Sequence, residues 1–338
     1  MRSVICVHER FDAMWPFSAD HWHQAWQQAG CELYRTEESD ARPSAMVPDP
    51  ETVTRLVLLG FYADSTDMET FSGLEEIFHS EIGYPNAAKD NSPITEAAVA
   101  NGINFVMPRG ELFWGQSVAE YGLALTLCAL RRIPQTYVAM MQGHETWQYY
   151  PKVGKPGQRG AQYGDDNRFT SGTLRGKRVR VVGIGNIGAR YAAWCANMGA
   201  DVAVWDPFAP DATFAVAGVT RCFHLNELVK DAEIFVPMVP LIDGTRGLVT
   251  ADLINALPQG CLVVQVTRAR VCDTEALYKR VLNNELSLAA DVFFEEPLPL
   301  DSPLIGRENV VHTPHNAGRT IQANQAWADD QMARFRPR

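Results

Sequence analysis

The 338-residue chain lacks several features, and each absence removes a class. It has no Cys-x-x-Cys pair. Its seven cysteines (Cys6, Cys31, Cys128, Cys195, Cys222, Cys261 and Cys272) are odd in number and lie far apart, which argues against a disulfide framework and leaves buried, reduced thiols as the simple reading. It has no excess of positive charge. At a formal net charge of −10 it lacks the basic face of a general nucleic-acid binder. It has no long hydrophobic run; "YGLALTLCAL" falls well short of the roughly 20 residues that span a bilayer. No signal-peptide pattern follows "MRSVICVHERF", so a cytoplasmic location is expected. Repeats and low-complexity segments are also missing.

What is there is an ordinary globular composition, 46% apolar and 21% charged. One compact core stops growing at roughly 250–300 residues, so two domains are expected. In the first third, β-rich runs ("SVICV", "RLVLLG", "EEIFHSEIG") alternate with helical ones ("ADHWHQAWQQAG", "PITEAAVANGI"). A long, mostly helical stretch at 116–147 follows, where Pro134 should end or kink the helix, and then a Gly- and Tyr-rich arm from Tyr149 to Gly172. Beyond it six further β-rich runs alternate with helices, the signature of a doubly wound parallel sheet.

The first of these six, "KRVRVVGIG", runs into Gly183-Ile184-Gly185-Asn186-Ile187-Gly188 and a helix. A G-x-G-x-x-G alone is weak evidence. Between a strand and a helix it is the turn in which Gly183 permits a tight bend, Gly185 lets backbone approach a pyrophosphate and Gly188 lets helix pack on strand. Asp206 closes the next strand, where a carboxylate accepts from ribose hydroxyls and favours NAD over NADP.

Ligands of open α/β sheets bind beyond the carboxyl ends of the strands. Arg268 follows "CLVVQVT", Glu296 follows "SLAADVF" and His315 follows "NVVHTP". Singly, each has a dull reading: a surface charge, half of an acidic pair, a loop histidine. Together they are the types that ketone reduction needs. A guanidinium forks onto a carboxylate, an imidazole donates a proton near neutral pH, and a carboxylate orients it. Two other candidates are set aside. His21 and His23 lie on opposite sides of a helix and cannot chelate together, so no metal site is expected. Trp15-Pro16-Phe17 suits either a wall of the substrate site or plain packing.

Seven pieces carry a resemblance: "GQSVAE", "TLRGKRVRVVGIGNIG", "VWDP", "VPLIDGTRGLV", "VTRARVCDTEAL", "ADVFFEEPLP" and "TPHNAG". In this order, over Gly102 to Gly318, the chain resembles the D-isomer-specific 2-hydroxyacid dehydrogenases. The resemblance implies an α/β protein of two doubly wound parallel-sheet domains, with a Rossmann NAD-binding domain (116–318) inserted in a flavodoxin-like substrate domain (1–115 and 319–338). Within the former, 116–172 would supply a dimerisation helix and arm, and Trp147 could reach a partner's site. It implies hydride transfer between NAD(H) and a D-2-hydroxy acid or 2-keto acid, in a homodimeric enzyme. Arg268 would bind substrate, His315 act as acid/base and Glu296 tune His315. For the cofactor it adds Asn186, Ile187, Val239, Pro240, Thr245, Val266, Thr267, Asp291 and Gly318 to Gly183, Gly185, Gly188 and Asp206.

The chain departs from the family pattern in places. The asparagine three residues before the arginine is Gln265, and the glycine after it is Ala269, which raises the question of a strained turn. The front-domain substrate loop, expected to read G-x-G-x-D, has only Gly83 and Tyr84 in place as substrate-binding candidates. Relatives that sense NAD without catalysis make a regulator the alternative reading. Glu296, a glutamine in formate-oxidising relatives, counts against that branch. Arg270 is read as a bystander at the rim, beside a helix that Asp273 should cap.

Overall fold

A computed structural model describes residues 2–38, 40–61, 64–80, 93–106, 108, 112–147 and 165–335. The chain divides into two compact units, Met1–Phe113 with Arg319–Arg338, and Trp114–Gly318.

The first unit holds a five-stranded, all-parallel sheet of β1 (Ser3–His8), β2 (Glu32–Thr36), β3 (Arg55–Leu59), β4 (Glu76–Ser80) and β5 (Asn104–Val106), in the order β2-β1-β3-β4-β5. This is the flavodoxin-type order. β1 and β3 are buried on both faces, which is why they read as unbroken apolar runs. Val4, Cys6, Leu56, Leu58 and Ile77 face one apolar cluster. On the other face Trp22 meets Phe78 with ring centroids 5.0 Å apart. The carboxy-terminal helix Ile321–Met332 joins this face. Its Trp327 packs on Phe11 and Trp15, and Ser18 Oγ donates to the Asn324 carbonyl at 2.9 Å. Trp15 is therefore a core residue, 4% exposed. His21 pairs with Asp329 and His23 with the Cys31 carbonyl.

The second unit holds a seven-stranded parallel sheet: β6 (Arg178–Val182), β7 (Asp201–Trp205), β8 (Thr220–Cys222), β9 (Ile234–Pro237), β10 (Leu262–Gln265), β11 (Ser287–Ala290) and β12 (Val310–His312), in the order β12-β11-β10-β9-β6-β7-β8. Sequence reading anticipates six of these. The seventh, β8, is three half-exposed residues with no apolar period to mark it. Side chains alternate across the sheet: Val179, Val181, Val264 and Val311 face one cluster, Val182, Val263, Leu288 and Ala290 the other.

The long helix spans Gly115–Arg131. It ends at Arg132, whose φ of 52° is left-handed, and a second helix, Ile133–Gln142, starts with Pro134 in its first turn. The break thus precedes the proline, which sits where its missing N–H costs nothing.

Candidate active site

The glycine turn is built as its spacing requires. Gly183 has φ 95°, and a Cβ there would stand 2.7 Å from Val239 Cγ1 and 2.9 Å from the Met238 carbonyl oxygen. A Cβ on Gly188 would stand 2.1 Å from the Gly183 carbonyl oxygen, so helix Asn186–Asn197 can lie this close to β6 only without one. Gly185 is the N-cap, makes no side-chain cap, and a Cβ on it would meet no atom within 4 Å. Its neighbourhood therefore offers open backbone at the positive end of a 12-residue helix, which fits a pyrophosphate.

Asp206 follows β7. One carboxylate oxygen accepts from Ile184 N at 3.0 Å, the other from Phe208 N and Ala209 N at 2.9 and 3.1 Å. The carboxylate is thereby fixed against the glycine turn, and the oxygen that takes only the Ile184 amide keeps a lone pair for a ribose hydroxyl. The other cofactor candidates cluster around this edge. Val239 abuts Gly183, and the Thr245 hydroxyl donates to the Pro240 carbonyl and accepts from Ile242 N. Thr267 Oγ1 donates to the Pro237 carbonyl at 3.2 Å, Val266 is buried beside it, and a Cβ on Gly318 would collide with the Trp114 ring. Asn186 bonds Arg190 through its side chain, and Ile187 packs on the core. These residues fit NAD.

Arg268, Glu296 and His315 leave three neighbouring strands. Gln265 pairs in register with Ala290, and Ala290 with His312. Arg268 and His315 each stand three residues past that line. His315 Nδ1 lies 2.6 Å from Glu296 Oε2. A carboxylate can only accept, so Nδ1 carries the proton and donates. Glu296 Oε1 accepts from Phe293 N at 2.8 Å, which locks the carboxylate that holds the ring. The two side chains are 33% and 35% exposed, so the pair is reachable. Arg268 is extended (φ −148°) and half-buried, and its Nη1 donates to the Thr267 carbonyl at 2.7 Å.

Ala269 begins a short 3₁₀ turn and is not among the non-glycine residues of positive φ, so glycine is not needed there and the turn is unstrained. The strained residue is His315 itself, at φ 53°. Arg270 points elsewhere: it is exposed, stacks 4.5 Å from the Phe294 ring and lines a cavity of about 780 Å³ with Arg246, Tyr278 and Leu304. Arg268, Glu296 and His315 do not line that cavity. Asp273 caps helix Thr274–Leu282 through Ala276 N at 2.9 Å.

Asp291 is fully buried. Its carboxylate accepts from the Thr313 hydroxyl at 2.7 Å and from the amides of Asn316 and Ala317 at 3.1 and 2.9 Å, so it holds the turn that carries His315. Two further contacts to this turn come from Ser117 and Tyr121, which lie in or beside "GQSVAE" and carry no motif that marks them. Gly83 and Tyr84 lie outside the described residues, as does most of the Tyr149–Gly172 arm. Among the described residues no group of three or more His, Cys, Asp or Glu is placed to hold a metal.

A doubly wound parallel sheet with this glycine turn, and a carboxylate closing the next strand, defines a dinucleotide-binding α/β protein. A model of the NAD-binding domain of the D-isomer specific 2-hydroxyacid dehydrogenases matches residues 123–317. The chain belongs to that family of NAD-dependent oxidoreductases. It is 32% identical over 247 residues to a D-3-phosphoglycerate dehydrogenase of Methanocaldococcus jannaschii, covering 72% of this chain but 43% of that one, so the chain spans less than half of that relative's length. It is 27% identical to a hydroxypyruvate reductase of Thermotoga maritima over 87% of both chains. The fold is shared with an NAD-complexed D-isomer specific 2-hydroxyacid dehydrogenase of Lactobacillus delbrueckii ssp. bulgaricus, at TM-score 0.71, 18% identity and coverage of 98% and 97%.

Proposed function

We propose that the chain reduces a 2-keto acid to the D-2-hydroxy acid, or runs the reverse reaction, at the edge formed by β10, β11 and β12. The observation that carries this reading is the 2.6 Å contact between His315 and Glu296, with Arg268 past the end of β10 on the same edge of the sheet. NADH, when bound, supplies the hydride. Gly183, Gly185 and Gly188 admit its pyrophosphate and Asp206 takes the adenosine ribose. Arg268 forks onto the substrate carboxylate and polarises the neighbouring ketone. His315 gives a proton to the ketone oxygen as the carbon becomes tetrahedral, and Glu296 stabilises the charged ring before that transfer. An orienting carboxylate on an exposed imidazole favours catalysis over cofactor sensing. Coverage of 87% of a hydroxypyruvate reductase makes short 2-keto acids the substrates to try first. The test is NADH oxidation with pyruvate, hydroxypyruvate, phosphohydroxypyruvate and glyoxylate. No turnover with any of them, beside clear NADH binding, would favour the regulator.

The same proposal includes a homodimer. Helix Ile133–Gln142 buries none of its residues and exposes Ile133, Tyr137, Val138, Met140 and Met141 by 45–66%. Such a face suits a second copy of itself. Met141→Glu should halve the mass seen by light scattering. A cytoplasmic setting is supported by seven unpaired thiols, five of them buried, with burial pushing Cys31, Cys195 and Cys272 up to about 12.

A further inference from the structure

We propose that Tyr121, acting through Asn316, is a positioning residue for His315; this rests on the reading of His315 as the acid/base. Two clamps hold the Thr313–Ala317 turn. The first is Asp291, whose buried carboxylate takes the Thr313 hydroxyl and the amides of Asn316 and Ala317. It constrains the backbone on both sides of His315, and at Asn316 it bonds the main-chain amide. The second is helix Gly115–Arg131. Its Ser117 hydroxyl donates to the Ala317 carbonyl, and its Tyr121 hydroxyl donates to Asn316 Oδ1 at 2.7 Å. Asn316 is otherwise an exposed side chain, directly after a residue held at φ 53°. A non-glycine residue in that region reverts to ordinary backbone unless its surroundings over-determine it. Tyr121 supplies the constraint on the outer side of the turn, 195 residues away in sequence. Its ring packs partly on the core, which fixes where the hydroxyl points. Releasing the turn would lengthen the His315–Glu296 bond without removing either partner.

Tyr121→Phe deletes one oxygen and keeps the ring. Kcat for keto-acid reduction should fall about three- to tenfold, the worth of one net hydrogen bond, while KM for keto acid and NADH stays within about twofold. Asn316→Ala should cost the same, and the double variant no more than either alone. A second readout needs no turnover. The His315 Nδ1–H proton bonded to Glu296 should give a downfield proton resonance, assigned by its loss in His315→Asn, and Tyr121→Phe should broaden or abolish it. A sharp, unshifted resonance in Tyr121→Phe overturns the proposal whatever the kinetics, and so do additive losses in the double variant. Absence of turnover by the wild type sinks only the functional reading, because the resonance still decides the positioning role.

Discussion

Both sheets carry histidines at the carboxyl ends of their strands, and they are treated in opposite ways. His8 ends β1 at 1% exposure. Its Nδ1 accepts from Arg10 N at 3.1 Å and its Nε2 faces the Glu38 carbonyl at 3.1 Å. His79, in β4, is 5% exposed with Nε2 on the Phe61 carbonyl. Backbone groups hold these buried rings, joined at His8 Nδ1 by the Arg10 guanidinium, whose Nε donates at 3.2 Å, and the rings cap and tie loops. His315 is one-third exposed, held at one nitrogen by a carboxylate, and its other nitrogen has no partner among the described residues. Residue type is the same and each lies at or near the carboxyl end of a strand; what separates a structural imidazole from a reactive one is whether the ring is buried and whether a carboxylate orients it.

The largest test of that contrast is to exchange each ring for an amide. His315→Asn should lower kcat by about 10²–10⁴-fold with NADH affinity nearly unchanged, as loss of a general acid does. His8→Asn should leave kcat near wild type and lower the urea midpoint. Equal kinetic losses in both would erase the distinction. Next come the charges. Arg55 is 2% exposed, pairs with Glu76 at 2.8 Å and lies over the Phe335 ring at 4.4 Å. Arg55→Ala strands a largely buried carboxylate and should cost about 3–5 kcal/mol in chemical denaturation, because breaking a buried pair is expensive. In the second unit Gly183→Ala forces a side chain into a positive φ against Met238 and should cost about 1–3 kcal/mol and weaken NADH binding in a fluorescence titration. The smallest effect concerns Asp231, whose carboxyl the Arg180 guanidinium holds below its ordinary range. The unfolded chain binds that proton more readily, so the contribution is present above the ordinary carboxylate range and lost as pH falls below it. Asp231→Asn should flatten the acid limb of stability against pH only slightly, since Asp231 is half-exposed.

What was legible in the sequence was what local chemistry determines. A β-rich run, three glycines and a helix lie within about 20 residues, so the turn at Gly183–Gly188 and the carboxylate at Asp206 could be read, as could the Asp273 cap. A strand was legible wherever it is apolar on both faces. β2, β5 and β8 escaped because they are short, partly exposed edge or near-edge strands without a clean period. Pro134 announces a helix boundary without saying on which side of it the turn falls, and the break lies before it, at Arg132. The posture of His315 could not be read at all. It is imposed by Asp291, 24 positions earlier, and by Tyr121, and neither residue carries a mark of its destination.

The left-handed backbone at His315 narrows the alphabet at that position twice over. Asparagine, aspartate and histidine visit this region far more readily than β-branched residues, and glycine does so freely. A library randomised there would therefore be sorted by two unrelated criteria. Folded survivors should be rich in glycine and asparagine, and poor in valine, isoleucine and threonine whatever their chemistry. Active survivors should be histidine alone. Alanine, the customary blank, would confound a missing imidazole with a displaced turn, whereas asparagine removes the one and spares the other.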